Sequence, residues 1–178
     1  MPDEPHTTLR LFFALWPDPA LRARLAAHAA LWRFAPPARP SAAAHLHLTL
    51  LFMDQVPRTR LPALRAAGAR VAASTPRFAL RLDSARVWHG GGIAHLAPGE
   101  PPAALRALHA ALRDAAGAAG VDCDRRAFSA HVTLARRAQG CTPPDAFAPL
   151  DWSATRLSLM ESRLGSGRYL LRGSWPLR

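Results

Sequence analysis

Apolar residues in this chain repeatedly change their spacing, and that alternation limits the fold more than any other feature. Leu9 to Leu15 is a short apolar run ended by Trp16–Pro17–Asp18–Pro19, the pattern of a buried strand entering a turn. From Ala20 to Trp32, Leu21, Leu25 and Leu31 fall at helical spacing without an internal breaker, and the Pro36–Pro37 and Pro40 cluster closes the segment. His45 to Phe52 alternates as a strand does. Leu61 to Ala73 turns helical again, with Leu61, Leu64, Ala67 and Val71 on one face. Phe78–Leu80–Leu82 interleaves with Ala79–Arg81–Asp83, a half-buried strand. A Gly90–Gly91–Gly92 turn introduces a short strand from Ile93 to Leu96. Pro101–Pro102 stands where a helix begins, with Leu105, Leu108 and Leu112 as its apolar face to about Ala116. Ala130–Ala135, Thr155–Leu164 and Arg168–Leu177 read as strands, the last two joined by a hairpin turn at Gly165–Ser166–Gly167. The order strand–helix–strand–helix–strand, then strand–helix–strand–strand–strand, predicts an α+β fold in two rough halves, with helices on the outer faces of the sheets. A chain of 178 residues that is 49% apolar holds one packed domain or two closely joined lobes.

Charge narrows the choice of partner. Every basic residue is Arg, and 23 of them against 12 acids leave a net charge of +11. Such a surface attracts polyanions and speeds their encounter, which points to nucleic acid ahead of an anionic membrane. Cys123 and Cys141 lack metal-ligand spacing and read as thiols in a reducing compartment. Asp3 and Glu4 open the chain where a signal peptide would be cationic, and the apolar run Leu11–Trp16 is too short to span a membrane. The expectation is a cytoplasmic protein that binds no membrane.

Two tetrapeptides carry the chemistry, His47–Leu48–Thr49–Leu50 and His131–Val132–Thr133–Leu134, which are 84 positions apart. On a strand, His47 and Thr49 share one face while Leu48 and Leu50 anchor the other, and the second motif repeats the pattern. If the two strands face one another, two imidazoles and two hydroxyls converge. A neutral His can then deprotonate water while a protonated His supplies a leaving oxygen with its proton. The Thr hydroxyls can donate to non-bridging phosphate oxygens. The residues alone leave open which His is acid and which is base. With eight His in the chain, a bare His-x-Thr is expected by chance roughly 0.4 times, so His6–Thr7–Thr8–Leu9 counts as noise. Requiring the apolar anchors lowers the expectation to roughly 0.01 per match, which makes two such strands a strong signal. No Asp or Glu falls within either motif, which weakens a metal site, and the nearest acids, Asp54 and Asp124, read as turn residues. His28, His89, His95 and His109 have no partner at ligand or catalytic spacing and read as surface or core residues.

At these motifs the sequence resembles the two-histidine phosphoesterases, and among them the RNA 2',3'-cyclic phosphodiesterases once described as 2'-5' RNA ligases. Arg10–Leu11–Phe12–Phe13–Ala14–Leu15 is similar to that family's opening strand, Leu46–Leu50 to its first motif and Phe128–Arg136 to its second. The closing run of Leu157, Ser162, Tyr169 and Trp175–Pro176–Leu177 is similar as well. The resemblance implies a single bilobal domain over residues 1–178, its two pseudo-symmetric lobes each an antiparallel sheet with outer helices, and an active site in the central groove. It implies hydrolysis of a terminal 2',3'-cyclic phosphate on RNA to a 2'-phosphomonoester with no metal or cofactor, and weak 2'-5' ligation in reverse. In that scheme His47 protonates the 3' oxygen and His131 activates water. Thr49, Thr133 and Arg136 hold the phosphate, and Phe13 packs near the terminal base. Two positions depart from the family pattern: Ala130 where Pro is usual, and His45 where Asn is frequent. His45 either tunes the cleft or is exposed.

Three functions are therefore in competition. The first is the RNA cyclic phosphodiesterase, expected as a monomer. The second keeps the chemistry but acts on a small cyclic nucleotide or a nucleotide-sugar cyclic phosphate. The third is an RNA-end-binding protein without turnover, against which the retention of both His and both Thr argues.

Overall fold

The computed structural model describes residues 7–88, 90–124, 126–163 and 167–178. His6, His89 and the turn expected at Gly165–Ser166 lie outside the described residues. Among the described residues ten strands and three α-helices follow one another, all strand pairs antiparallel. They are β1 (Thr8–Leu15), α1 (Pro19–Ala29), β2 (Arg39–Pro40), β3 (Leu48–Pro57), α2 (Leu61–Ser74), β4 (Phe78–Leu82) and β5 (Ser84–Trp88), then β6 (Ile93–Ala97), α3 (Ala103–Ala118), β7 (Val132–Arg136), β8 (Leu150–Ala154), β9 (Arg156–Arg163) and β10 (Arg168–Pro176).

The main sheet runs β10-β9-β1-β3-β7-β6-β5, with β2 paired to β7, while β4 and β8 form a separate ribbon. Its two halves, β10-β9-β1-β3 and β7-β6-β5, are joined by one register pair, Leu48 with Val132. Because both residues open their strands and the pairing is antiparallel, β3 and β7 touch only at their beginnings and run away from one another. The bilobal arrangement follows from that single point of contact. Helix α2 lies against β9 and β10, α3 against β3 and α2, and α1 against β8.

Alternation along β1 decides which side of the sheet becomes core. Leu11, Phe13 and Leu15 join the large apolar cluster with Leu48, Leu50, Val132, Leu134 and the α3 residues Leu105, Leu108 and Leu112. Phe12 and Ala14, which point the other way, form a small cluster with Met160, flanked by Trp16, Phe52 and Tyr169. Thus one face of β1 is buried under helices, and the other floors an aromatic depression.

The elements read from the sequence are present, with shifted ends. Helix α1 begins at Pro19, where the Asp18 side chain accepts from the Leu21 amide at 2.7 Å. The strand expected from His45 begins at Leu48, and the one expected from Ala130 begins at Val132. Three strands were not anticipated, among them the two-residue β2 in the proline-rich stretch after α1. β8 alternates Leu150, Trp152 and Ala154 inward over only five residues, and β5 lacks clear alternation. No helix among the described residues is long and apolar enough to cross a membrane.

Gly68 shows how closely α2 seats on the sheet. A Cβ there would stand 2.6 Å from Trp175 Cζ3 and 2.8 Å from Phe13 Cε1. Alanine at this mid-helix position would gain about 1 kcal/mol of helix propensity. Overpacking costs roughly 1–3 kcal/mol, and against a fully buried Phe13 it wins. Gly68→Ala is therefore expected to lower the urea midpoint, and an unchanged or raised midpoint would contradict this packing.

Candidate active site

Each His-x-Thr tetrapeptide straddles the start of a strand, so His47 and His131 occupy the same position relative to β3 and β7. Leu48 and Val132 are fully buried and pin the two starts together, while Thr49 and Thr133 are half-buried. Continued one residue each way, the Leu48–Val132 register sets His47 opposite Thr133 and His131 opposite Thr49. Strand parity then puts all four side chains on the same face. They line one cleft of about 590 Å³, together with Arg136.

Both imidazoles are held in the same way. The Nδ1 of His47 lies 2.6 Å from the carbonyl of His45, and the Nδ1 of His131 lies 2.8 Å from the carbonyl of Ser129. A carbonyl only accepts, so Nδ1 carries the proton in each ring and the neutral form presents an Nε2 lone pair. His47 Nε2 is 3.1 Å from Thr49 Oγ1. That hydroxyl donates to the neutral ring and can turn to accept when Nε2 is protonated.

The surroundings of the two rings differ. His47 stacks against Trp16 at 4.9 Å, nearly parallel at 2°, and against Phe12 at 5.0 Å, with Tyr169 edge-on at 5.4 Å. His131 meets Trp88 edge-on at 4.5 Å and the ring of His95 at 5.7 Å. Burial lowers the pKa of His47 to about 4, opposed by its bond to the His45 carbonyl and reinforced by His131, His45 and Arg136. Burial also lowers His131, with Arg136 acting in the same direction and the Ser129 carbonyl against it. Both rings are therefore neutral near pH 7, because removing a cation from water costs more than these contacts return.

The remaining lining is cationic, aromatic and hydroxylic. Arg10, Arg39 and Arg136 face the cleft, and no acid does among the described residues. Arg39 pairs with Arg136 across β2 and β7, and Arg10 is tethered by Asp54 at 3.1 Å. Three cations without a facing acid make an anion site. His45 also lines it, half-buried at the end of a 3-10 turn (Ala43–His45) and 4.9 Å from the Tyr169 ring, not within the strand expected to begin there.

Phe13 is the sequence expectation that needs correcting. It is 1% exposed in the core beneath α2, and the aromatic groups on the cleft side are Phe12, Phe52 and Tyr169. Either member of the Phe12–Phe13 pair fits an apolar strand; only the pairing of β1 with β3 shows which one faces the cleft. His95, read from the sequence as a surface or core residue, is a core residue that lies beside His131, with its Nδ1 3.2 Å from the Ile93 carbonyl and its strand position opposite Thr133. Tyr169 and Ser162, noted in the sequence without a role, face one another across β9 and β10 and both line the cleft. Of the other His set aside, His28 is a core residue accepting from Trp32 Nε1 at 3.1 Å. His109 stacks on Phe128 at 4.2 Å, its Nδ1 2.7 Å from the Leu50 carbonyl.

Known proteins share this architecture. Residues 17–165 match the 2'-5' RNA ligase superfamily. The RNA 2',3'-cyclic phosphodiesterase of Escherichia coli K12 is 35% identical over 164 residues, 89% of this chain and 90% of that protein. The protein of the same name from Thermus thermophilus is 30% identical over 173 residues, covering 88% and 83%. The crystal structure of Escherichia coli LigT complexed with 3'-AMP superposes with a TM-score of 0.80 at 31% identity, over 96% of this chain and 98% of LigT. A match of sequence and fold that extends over nearly the whole of both proteins leaves one conclusion: the chain belongs to the 2'-5' RNA ligase superfamily.

Proposed function

We propose that this protein hydrolyses the terminal 2',3'-cyclic phosphate of RNA to a 2'-phosphomonoester, using His131 as base and His47 as acid and no metal. The observation that carries the reading is the pair of imidazoles with matched Nδ1 locks, each presenting Nε2 to a cleft lined by cations. Relatives over most of the chain bear the name RNA 2',3'-cyclic phosphodiesterase, which supports the same substrate. The partner is then an RNA ending in a cyclic phosphate. The protein works as a cytoplasmic monomer of one bilobal domain, residues 1–178, with no cofactor.

In this scheme a water oxygen attacks phosphorus while the lone pair on His131 Nε2 takes its proton. The P–O3' bond breaks, and protonated His47 gives its Nε2 proton to the 3' oxygen. One water is consumed and the 2'-phosphate remains. Thr49, Thr133 and Arg136 hold the non-bridging oxygens, so phosphorus stays in line and the growing charge meets fixed donors. The stacked rings of Trp16 and Phe12 favour a cation at His47, since the faces of aromatic rings are electron-rich. A bound phosphodiester adds a negative charge beside both rings and raises their pKa values, against the burial that lowers them.

Two outcomes are expected. With EDTA in excess, the wild type converts an RNA 2',3'-cyclic phosphate to the 2'-phosphate, while His47→Ala and His131→Ala each lose about 10²–10⁴ in kcat. An end left unchanged by the wild type excludes the reaction, and an activity abolished by EDTA excludes the metal-free scheme. The second outcome concerns pH. Both free-enzyme histidines titrate below 6.5, so the alkaline limb of kcat/KM, where the last required proton is lost, falls below pH 6.5. The optimum of kcat lies at higher pH than that of kcat/KM, because bound substrate raises both groups. An alkaline limb of kcat/KM above pH 7 would be inconsistent with the burial of these rings.

A further inference from the structure

A second cavity of about 430 Å³ adjoins the cleft, and Tyr169 lines both. We propose that it is a subsite for the nucleotide preceding the cyclic-phosphate end of the RNA, an inference that rests on the reading above. Trp16 forms part of its wall. The Trp16 ring stacks on His47 at 4.9 Å and Tyr169 meets His47 at 5.4 Å, so the cavity begins one aromatic ring away from His47. A chain extending from a nucleotide seated in the cleft meets this space next.

Its lining suits a nucleoside. Met160 belongs to the apolar cluster under the cleft, and Leu171 is 61% exposed, an apolar surface with no protein partner over most of its area. Beside them, Arg156 is exposed at the rim, its Nε donating to Ser174 Oγ at 3.2 Å, which keeps the guanidinium close to the cavity. A flat aromatic wall, an apolar floor and one cation at the edge are what a stacked base and its phosphate need. The acid in this lining, Asp18, has one carboxylate oxygen committed to the Leu21 amide at the start of α1. The volume lies within the range of sites for nucleoside-sized ligands. The net charge of +11 favours a further phosphate over an uncharged ligand.

The experiment compares substrates ending in a 2',3'-cyclic phosphate that are one, two and four nucleotides long. The second nucleotide is expected to raise kcat/KM about tenfold, in line with a single stacking contact, with little further gain from the third and fourth. Leu171→Asp and Arg156→Ala, both at exposed positions, should remove most of that gain and leave the mononucleotide constants as they are. Equal constants for one and two nucleotides, or variants that slow all substrates alike, would overturn the subsite. If no substrate is hydrolysed, the catalytic reading fails instead. Calorimetric binding of a dinucleotide bearing a 2'-phosphate then decides the subsite alone: weaker binding to Leu171→Asp supports it, and equal binding to wild type and variant removes it.

Discussion

One antiparallel pair, Leu48 with Val132, holds the site together. It is the point at which two otherwise separate halves of the main sheet touch, and both residues are fully buried. Because the two strands begin there and diverge, the residues immediately before and after the pair are brought to one face from both sides. A shift by one residue in this register would turn one motif's imidazole and hydroxyl into the core. The buried Leu and Val of the motifs are therefore what brings the His and Thr they separate into one cleft.

The cleft sets two opposing forces on the same groups. Enclosure by Phe12, Trp16 and Tyr169 strips water from His47 and lowers its pKa to about 4, which suits a neutral ring. The same ring faces stabilise an imidazolium once a phosphodiester has entered and supplied the counter-charge. Arg10, Arg39 and Arg136 make entry of that anion favourable, and Arg136 also disfavours a proton on either His beforehand. In the proposed scheme, substrate binding itself completes the protonation state that the reaction needs.

The α+β class, all three helices and both motifs were legible because each rests on local rules: the apolar period, the proline that opens a helix, and the parity of a strand. What was not legible depended on pairing between distant segments. Phe12 and Phe13 are equivalent in sequence, and only the pairing of β1 with β3 and β9 decides that Phe12 looks into the cleft. His95 acquires meaning only when β6 pairs with β7 and brings it next to His131. Trp16 read as part of a turn, yet it stacks on His47 because the chain leaves β1 beside the start of β3. The strands β2, β5 and β8 were missed because two residues, or five, give too short a period to stand out from loops.

In the proposed scheme two Nδ1-protonated imidazoles present their Nε2 atoms to a single phosphate. Long-range proton–nitrogen NMR on histidine-labelled protein reads this directly. At pH 7 without ligand, both His47 and His131 should give the pattern of a ring protonated on Nδ1 alone. On titration with a nucleoside 2'-phosphate, both Nε2 resonances should move with the same apparent Kd and toward the protonated position. A ring protonated on Nε2 in the free protein, or a ligand that moves one His and leaves the other unchanged, would contradict the account.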